Sequence, residues 1–186
     1  DPNWKHFDWS DKVTRSPRLI IPVNRHCYLA RDVRADFVKT LDKDAKKQCW
    51  NAPKVKVNGQ KPAKFPIFHR IILDRYFTII CVEGEIDAMS IYDVGFKNVI
   101  ALGSISYTKL LIDELKALRV KPKAIIVALD NENSSNVIKA KEKLASDLFK
   151  LGINFVDGSS IAGEYKDANE LLIADREALK PNVQHL

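Results

Sequence analysis

The sequence predicts an α/β fold, a parallel sheet flanked by helices, preceded by a smaller basic α+β subdomain. Three observations lead there. From residue 77 onward, short apolar runs alternate with longer segments of helical periodicity, the order that right-handed crossovers turn into a parallel sheet. Acidic residues recur just after those apolar runs. The charge is also divided: residues 1–75 hold 17 Lys/Arg against 8 Asp/Glu, and residues 76–186 hold 13 against 16, within a chain of net charge +6. That shift sets the expected boundary, a basic N-terminal subdomain at 1–75 and the α/β domain at 76–186.

Composition narrows the class. With 186 residues, 46% hydrophobic and 29% charged, the chain has enough apolar surface for an ordinary core. No apolar run approaches the roughly 20 residues that span a bilayer, and no charged-then-apolar leader opens the sequence. A membrane partner is therefore not expected. Cys27, Cys49 and Cys81 are far apart and odd in number, with no C-x-x-C pair for a zinc ribbon or disulfide framework. A reducing cytoplasm is the expected setting. The chain starts at Asp1 and its one methionine is Met89, so it is expected to be a piece of a longer protein. No G-x-x-x-x-G-K-[ST] occurs, which excludes a P-loop motor from this stretch.

In the basic part, RLIIPV (Arg18 to Val23) and CYLARDV (Cys27 to Val33) predict two short strands joined by a turn at Asn24-Arg25-His26. Pro22 cannot donate to a ladder, so it marks an edge or a bulge. Residues 34–47 carry a weak helical stripe. KVKV at 54–57 running into Asn58-Gly59 is a hairpin signal. In the acidic part, strands are expected at Phe77–Val82, Asn98–Leu102, Ala124–Leu129 and Ile153–Val156. Helices are expected at Glu85–Val94, Tyr107–Leu118 and Ser134–Leu151. Gly95, Pro122 and Gly152 punctuate the helix ends or the turns that follow.

Parallel strands bring their C-terminal ends to one edge, where open α/β sheets bind ligands. The first residues past each strand are Glu83, then Gly103-Ser104, then Asp130-Asn131-Glu132, then the loop Asp157–Asp167. Carboxylates gathered in a partly desolvated crevice repel one another unless a cation joins them. Mg²⁺ fits such oxygen ligands and bridges to phosphates, and two such ions can stabilise phosphoryl or nucleotidyl transfer.

VEGEIDAMS, then ALDNEN, then KDANELL resembles the Toprim domain of DnaG-type bacterial primases, topoisomerases and some nucleases. The wording EGEIDAMS and KDANELL is closest to primase-like proteins of phages and mobile elements. Glu83 matches the family's glutamate after the first strand. Asp130 matches the first aspartate of its Asp-x-Asp, and Glu132 stands where the second is expected, one methylene longer. LGS at 102–104 is similar to the primases' turn after the second strand. Asn169 stands where some have a further aspartate. Upstream, RLIIPV…YLAR, NAP at 51–53 and PIFH at 66–69 are similar to primase segments.

The resemblance implies catalysis by Glu83, Asp130 and Glu132, with Mg²⁺ or Mn²⁺ held by Glu83, Asp130, Glu132 and Asp167. It places Arg18, Arg31, Lys47 and Asn51 on nucleic acid and nucleotide. Lys47 stands one residue off the expected lysine, whose own position is Gln48. The implied activity is template-directed synthesis of RNA primers, with single-stranded DNA, ribonucleoside triphosphates and a replicative helicase as partners. A metal-dependent Toprim nuclease and a non-catalytic Toprim module that binds nucleic acid are the alternatives.

Structural explanations stand beside these. Glu83, Glu85 and Asp87 suit a helix N-terminus, where the macrodipole favours acids. Asp167 and Glu170 form a D-x-x-E capping pattern, and one residue can both cap and bind metal. Ser104 is expected to be an N-cap.

Overall fold

A computed structural model of the chain describes residues 18–24, 27–33, 67–130 and 135–186. The chain divides into two compact units, residues 1–66 and 67–186. In the first, β1 (Arg18–Asn24) and β2 (Cys27–Asp32) pair antiparallel, with Leu19 opposite Arg31 and a register irregularity between Pro22 and Asn24. The irregularity directly follows Pro22, which has no N–H to give to a ladder. Residues 34–66, including the expected helix and the Asn58-Gly59 hairpin, lie outside the described residues.

The second unit is built on β3 (Thr78–Val82), β4 (Val99–Ala101), β5 (Ala124–Ala128) and β6 (Asn154–Asp157). They form a four-stranded parallel sheet in the order β4-β3-β5-β6. The helices are α1 (Glu85–Asp93), α2 (Thr108–Ala117), α3 (Ser135–Lys150), α4 (Ala168–Ala174) and α5 (Arg176–Gln184).

The apolar runs are unbroken because both faces of the sheet are covered. Ile79, Cys81, Ile125 and Val127 pack on one side with Leu111 and Leu115 of α2 and Leu144 and Leu148 of α3. Ile80, Val82 and Ile126 pack on the other with Ala88 and Ile91 of α1, Leu171 of α4, and Leu179 and Val183 of α5. The alternation follows from the two-residue period of a strand. Each buried Val, Leu or Ile among them stabilises the fold by about 1.5–3 kcal/mol through burial.

The unit begins at Ile67, upstream of the charge shift near residue 75. Ile67, Ile72 and Leu73 are buried in the sheet's core, and Phe68 exchanges backbone hydrogen bonds with Ala101 at 2.9 and 3.3 Å. That bridge satisfies the outer side of β4, which would otherwise present open backbone groups. Among the described residues, no helix is long and apolar enough to cross a membrane.

Candidate metal centre

The C-terminal edge of the sheet is set by the pairing of β3 with β5, which places Val82 beside Ala128. Glu83 follows the first of these strands and Asp130 comes two residues after the second. The ladder continues past β3: Leu102 N donates to Val82 O (3.1 Å) and Gly103 N to Glu83 O (2.8 Å). Glu83 is half-buried, and its Oε1 accepts from Ile105 N at 3.4 Å. Gly103 has φ 78°, and a Cβ there would approach Glu85 Oε1 to 3.1 Å. The turn thus needs glycine for conformation and for space. Ser104 is an N-cap, accepting from Ser106 N, of a single 3-10 turn before α2.

Asp87, Asp130 and Asp167 meet on this edge, each offering one carboxylate oxygen within 4.8 Å of the others. Asp87 reaches the site because α1 starts at Glu85, directly after the Gly84 N-cap. Side chains of a helix's first turn lean back toward its N-terminus, here toward the strand ends. Asp87 is 8% exposed, and its Oδ1 accepts from Asn169 N at 3.1 Å. Ser90 Oγ donates to Asn169 Oδ1 at 3.3 Å and holds α4 against α1. Asp167 is the N-cap of α4, with Oδ1 accepting from Glu170 N at 2.9 Å. Glu170 Oε2 in turn accepts from Lys166 N at 3.2 Å. The capping role and the cluster role therefore fall on one residue.

Electrostatics are unfavourable for three carboxylates so close. Burial, foremost, together with the charges of Asp167 and Asp130, pushes the Asp87 carboxyl up to about 7, against the lowering effect of the Asn169 N–H. One positive charge is at hand: Lys166 Nζ lies 3.0 Å from Asp130 Oδ2. The three acids and Lys166 share a cleft of about 10 Å³ walled by Ala128, Gly158 and Ile161, on the scale of one small ion or water.

The donor set fits a hard divalent cation. Three carboxylates supply oxygen only, and ligand oxygens around one Mg²⁺ lie roughly 3–4.2 Å apart given Mg–O distances near 2.1 Å. The observed limit of 4.8 Å is within a small side-chain adjustment of that. A cation would also favour the ionised form of Asp87, against the burial and the neighbouring carboxylates that raise its carboxyl.

Of the acids expected from the sequence, the structure brings Asp130 and Asp167 together. Glu83 stands on the same edge but is not one of the three. Glu132 lies outside the described residues, as do Lys47 and Asn51. Arg18 and Arg31 are on β1 and β2. Sequence reasoning left Asp87 between site and helix punctuation and did not see Lys166 as a partner of Asp130. The available signal was spacing: Asp87 lies in the first turn of a helix that begins two residues after the strand-end Glu83.

Residues 80–172 match the Toprim-like family. Among solved structures, the chain is similar to the primase fragment of the bacteriophage T7 primase-helicase protein. That match has 18% identity and a TM-score of 0.55, and covers 85% of this chain and 55% of that one. It is also similar to the Aquifex aeolicus primase (zinc-binding and RNA polymerase domains), at 18% identity and a TM-score of 0.53, covering 90% of this chain and 39% of that one. At this identity the likeness is one of fold, and the chain spans only about half or less of the length of either protein. No curated protein sequence matches it.

Proposed function

This chain belongs to the Toprim-like family, and from that premise we propose that it is the catalytic core fragment of a DnaG-type primase. In this reading it joins ribonucleotides on a single-stranded DNA template, with Mg²⁺ or Mn²⁺ as cofactor, in the cytoplasm. The observation that carries the proposal is the convergence of Asp87, Asp130 and Asp167 at the sheet edge, in a fold similar to two primase fragments.

Asp87, Asp130 and Asp167 would hold the cation, with Glu83 on the same sheet edge; Glu132 joins that set by the family resemblance alone. When bound, the cation supplies positive charge to the triphosphate oxygens. In this proposal Glu83, at the strand end and accepting from Ile105 N, takes the proton of the attacking 3′-hydroxyl. That oxygen forms a bond to the α-phosphorus, the α–β bond breaks, and pyrophosphate leaves. Lys166 balances Asp130, and its flexible ammonium can also meet a phosphate brought to that edge. Arg18, Arg31 and Lys47 of the basic part contact template and triphosphate, a role suited to cations, and Asn51 joins them through its side-chain amide. A replicative helicase is the expected partner, since the T7 relative is part of a primase-helicase protein.

A primer-synthesis assay on single-stranded DNA tests this. Product should require the divalent cation and be lost in both Glu83→Gln and Asp130→Asn. Unchanged synthesis in both variants overturns the mechanism. Cutting of plasmid or single-stranded DNA with Mg²⁺ and no nucleotides would instead assign a Toprim nuclease.

A further inference from the structure

At the opposite end of the sheet, the residues leading into β3 and β5 form a second, chemically different surface. Arg75, Tyr76 and Phe77 precede the first strand, and Arg119, Val120, Lys121, Pro122 and Lys123 precede the second. Phe77 is 71% exposed, Val120 62% and Tyr76 40%. A cleft of about 120 Å³ runs between them, with the buried Leu73 and Pro122 also in its wall. Such apolar exposure on a fixed frame is unusual without an occupant. The frame is fixed because Lys123 N and Ala124 N both donate to Phe77 O, at 2.7 and 3.1 Å.

The charge around this cleft is mainly positive. Arg75 and Lys121 line it together with Asp74, and Arg119 and Lys123 flank the lining segment Val120–Pro122 in the chain. No ion pair engages those four cations among the described residues; Lys121 Nζ donates to Leu118 O at 3.4 Å. Lys123 Nζ stands 5.3 Å from the centroid of the Phe77 ring, so cation and aromatic are already associated.

From this we infer that the Tyr76–Phe77 cleft is a binding site for single-stranded nucleic acid, separate from the acidic edge. Flat aromatic faces stack bases without regard to sequence, and adjacent cations take the phosphates. An acidic peptide would satisfy the cations, but it does not explain two exposed aromatic rings beside them. Five residues of β3 separate this surface from the acidic edge, roughly 17 Å at strand spacing. A strand held here would be gripped at a distance from the carboxylates and need no metal. The inference is therefore independent of whether the chain synthesises primers.

The test uses the full chain, a fluorescein-labelled oligothymidylate, EDTA and no nucleotides. Phe77→Ala should weaken binding about tenfold, the effect of losing one stacked base, and Phe77→Trp should restore it. A Lys121→Glu, Lys123→Glu double variant should bind more weakly and with a shallower salt dependence. Photo-cross-linking with 4-thiothymidine should label peptides containing residues 73–77 or 119–123. Because Phe77 is largely exposed, its variants should melt with the parent. Affinity of Phe77→Ala within twofold of the parent, with cross-links confined elsewhere, overturns the assignment. So does a Phe77→Ala variant that loses binding to an aromatic-ended oligoglutamate but keeps oligothymidylate.

Discussion

Asp87 is a carboxyl whose ionisation is opposed by burial and by two neighbouring carboxylates, and which is held near neutrality at about 7. Two consequences follow, of opposite sign. In the metal-free protein, the native state keeps a proton that the unfolded chain, with its ordinary aspartate, releases near pH 4. Stability from this residue is therefore full below about pH 4, falls as pH rises to about 7, and then levels off. The loss is on the order of a few kcal/mol. Metal affinity runs the other way, because binding must expel that proton. Calorimetric titration with Mg²⁺ or Mn²⁺ should give affinity about tenfold weaker at pH 6 than at pH 8. Asp87→Asn should bind poorly at both. In EDTA, the same variant should melt with a smaller stability loss between pH 5 and pH 8 than the parent, since the amide keeps an acceptor for Asn169 N. Identical pH slopes for parent and variant would contradict the burial-driven shift.

At the scale of elements, α4 ties structure to chemistry through Asp167, and the two roles can be separated. Serine is as good an N-cap as aspartate, whereas alanine in a cap position costs about 1 kcal/mol. Asp167→Ser should therefore melt close to the parent in chelator while losing cation-induced stabilisation. Asp167→Ala should lose both. If Ser and Ala variants melt alike in EDTA, the cap seen between Asp167 Oδ1 and Glu170 N contributes nothing. The capping pattern and the strands were legible because D-x-x-E and uninterrupted apolar runs are local signals, and β3 and β5 lie within a residue of the expected spans. The helix α5 was not legible: Pro181 sits inside it, and a proline removes one hydrogen bond and argues locally against helix. Burial of Leu179 and Val183 against the sheet is what overrides it, and that is a tertiary effect invisible in a window of sequence.

At the scale of the whole molecule, the alternation of strands and helices made a parallel sheet legible but not its order. Right-handed crossovers fix the hand of each connection and leave open which side the next strand joins. In the structure β3 is central, with β4 and β5 on either side, and this is what sets Glu83 and Asp130 on adjacent strands. The acidic edge could be named from sequence, whereas the pairing of Asp87 with residues 80 positions away required the docking of α4 on α1. Charge and packing also mark different things: the basic excess extends to about residue 75, while the apolar side chains that seal the sheet begin at Ile67.

The division of charge makes a last prediction about the molecule as a whole. If cations of the basic part, Arg18, Arg31 and Lys47 among them, hold the template while the acidic edge holds metal, then grip and turnover respond to different treatments. Chelation should abolish synthesis yet leave oligothymidylate affinity largely intact. Raising NaCl from about 50 to about 200 mM should weaken that affinity at least roughly 20-fold, given three phosphate contacts from the basic part alone at the single-strand slope. Arg18→Ala, Arg31→Ala and Lys47→Ala should each make the slope shallower without altering metal affinity measured by calorimetry. Template affinity that collapses on chelation would place the grip on the metal itself and refute the division.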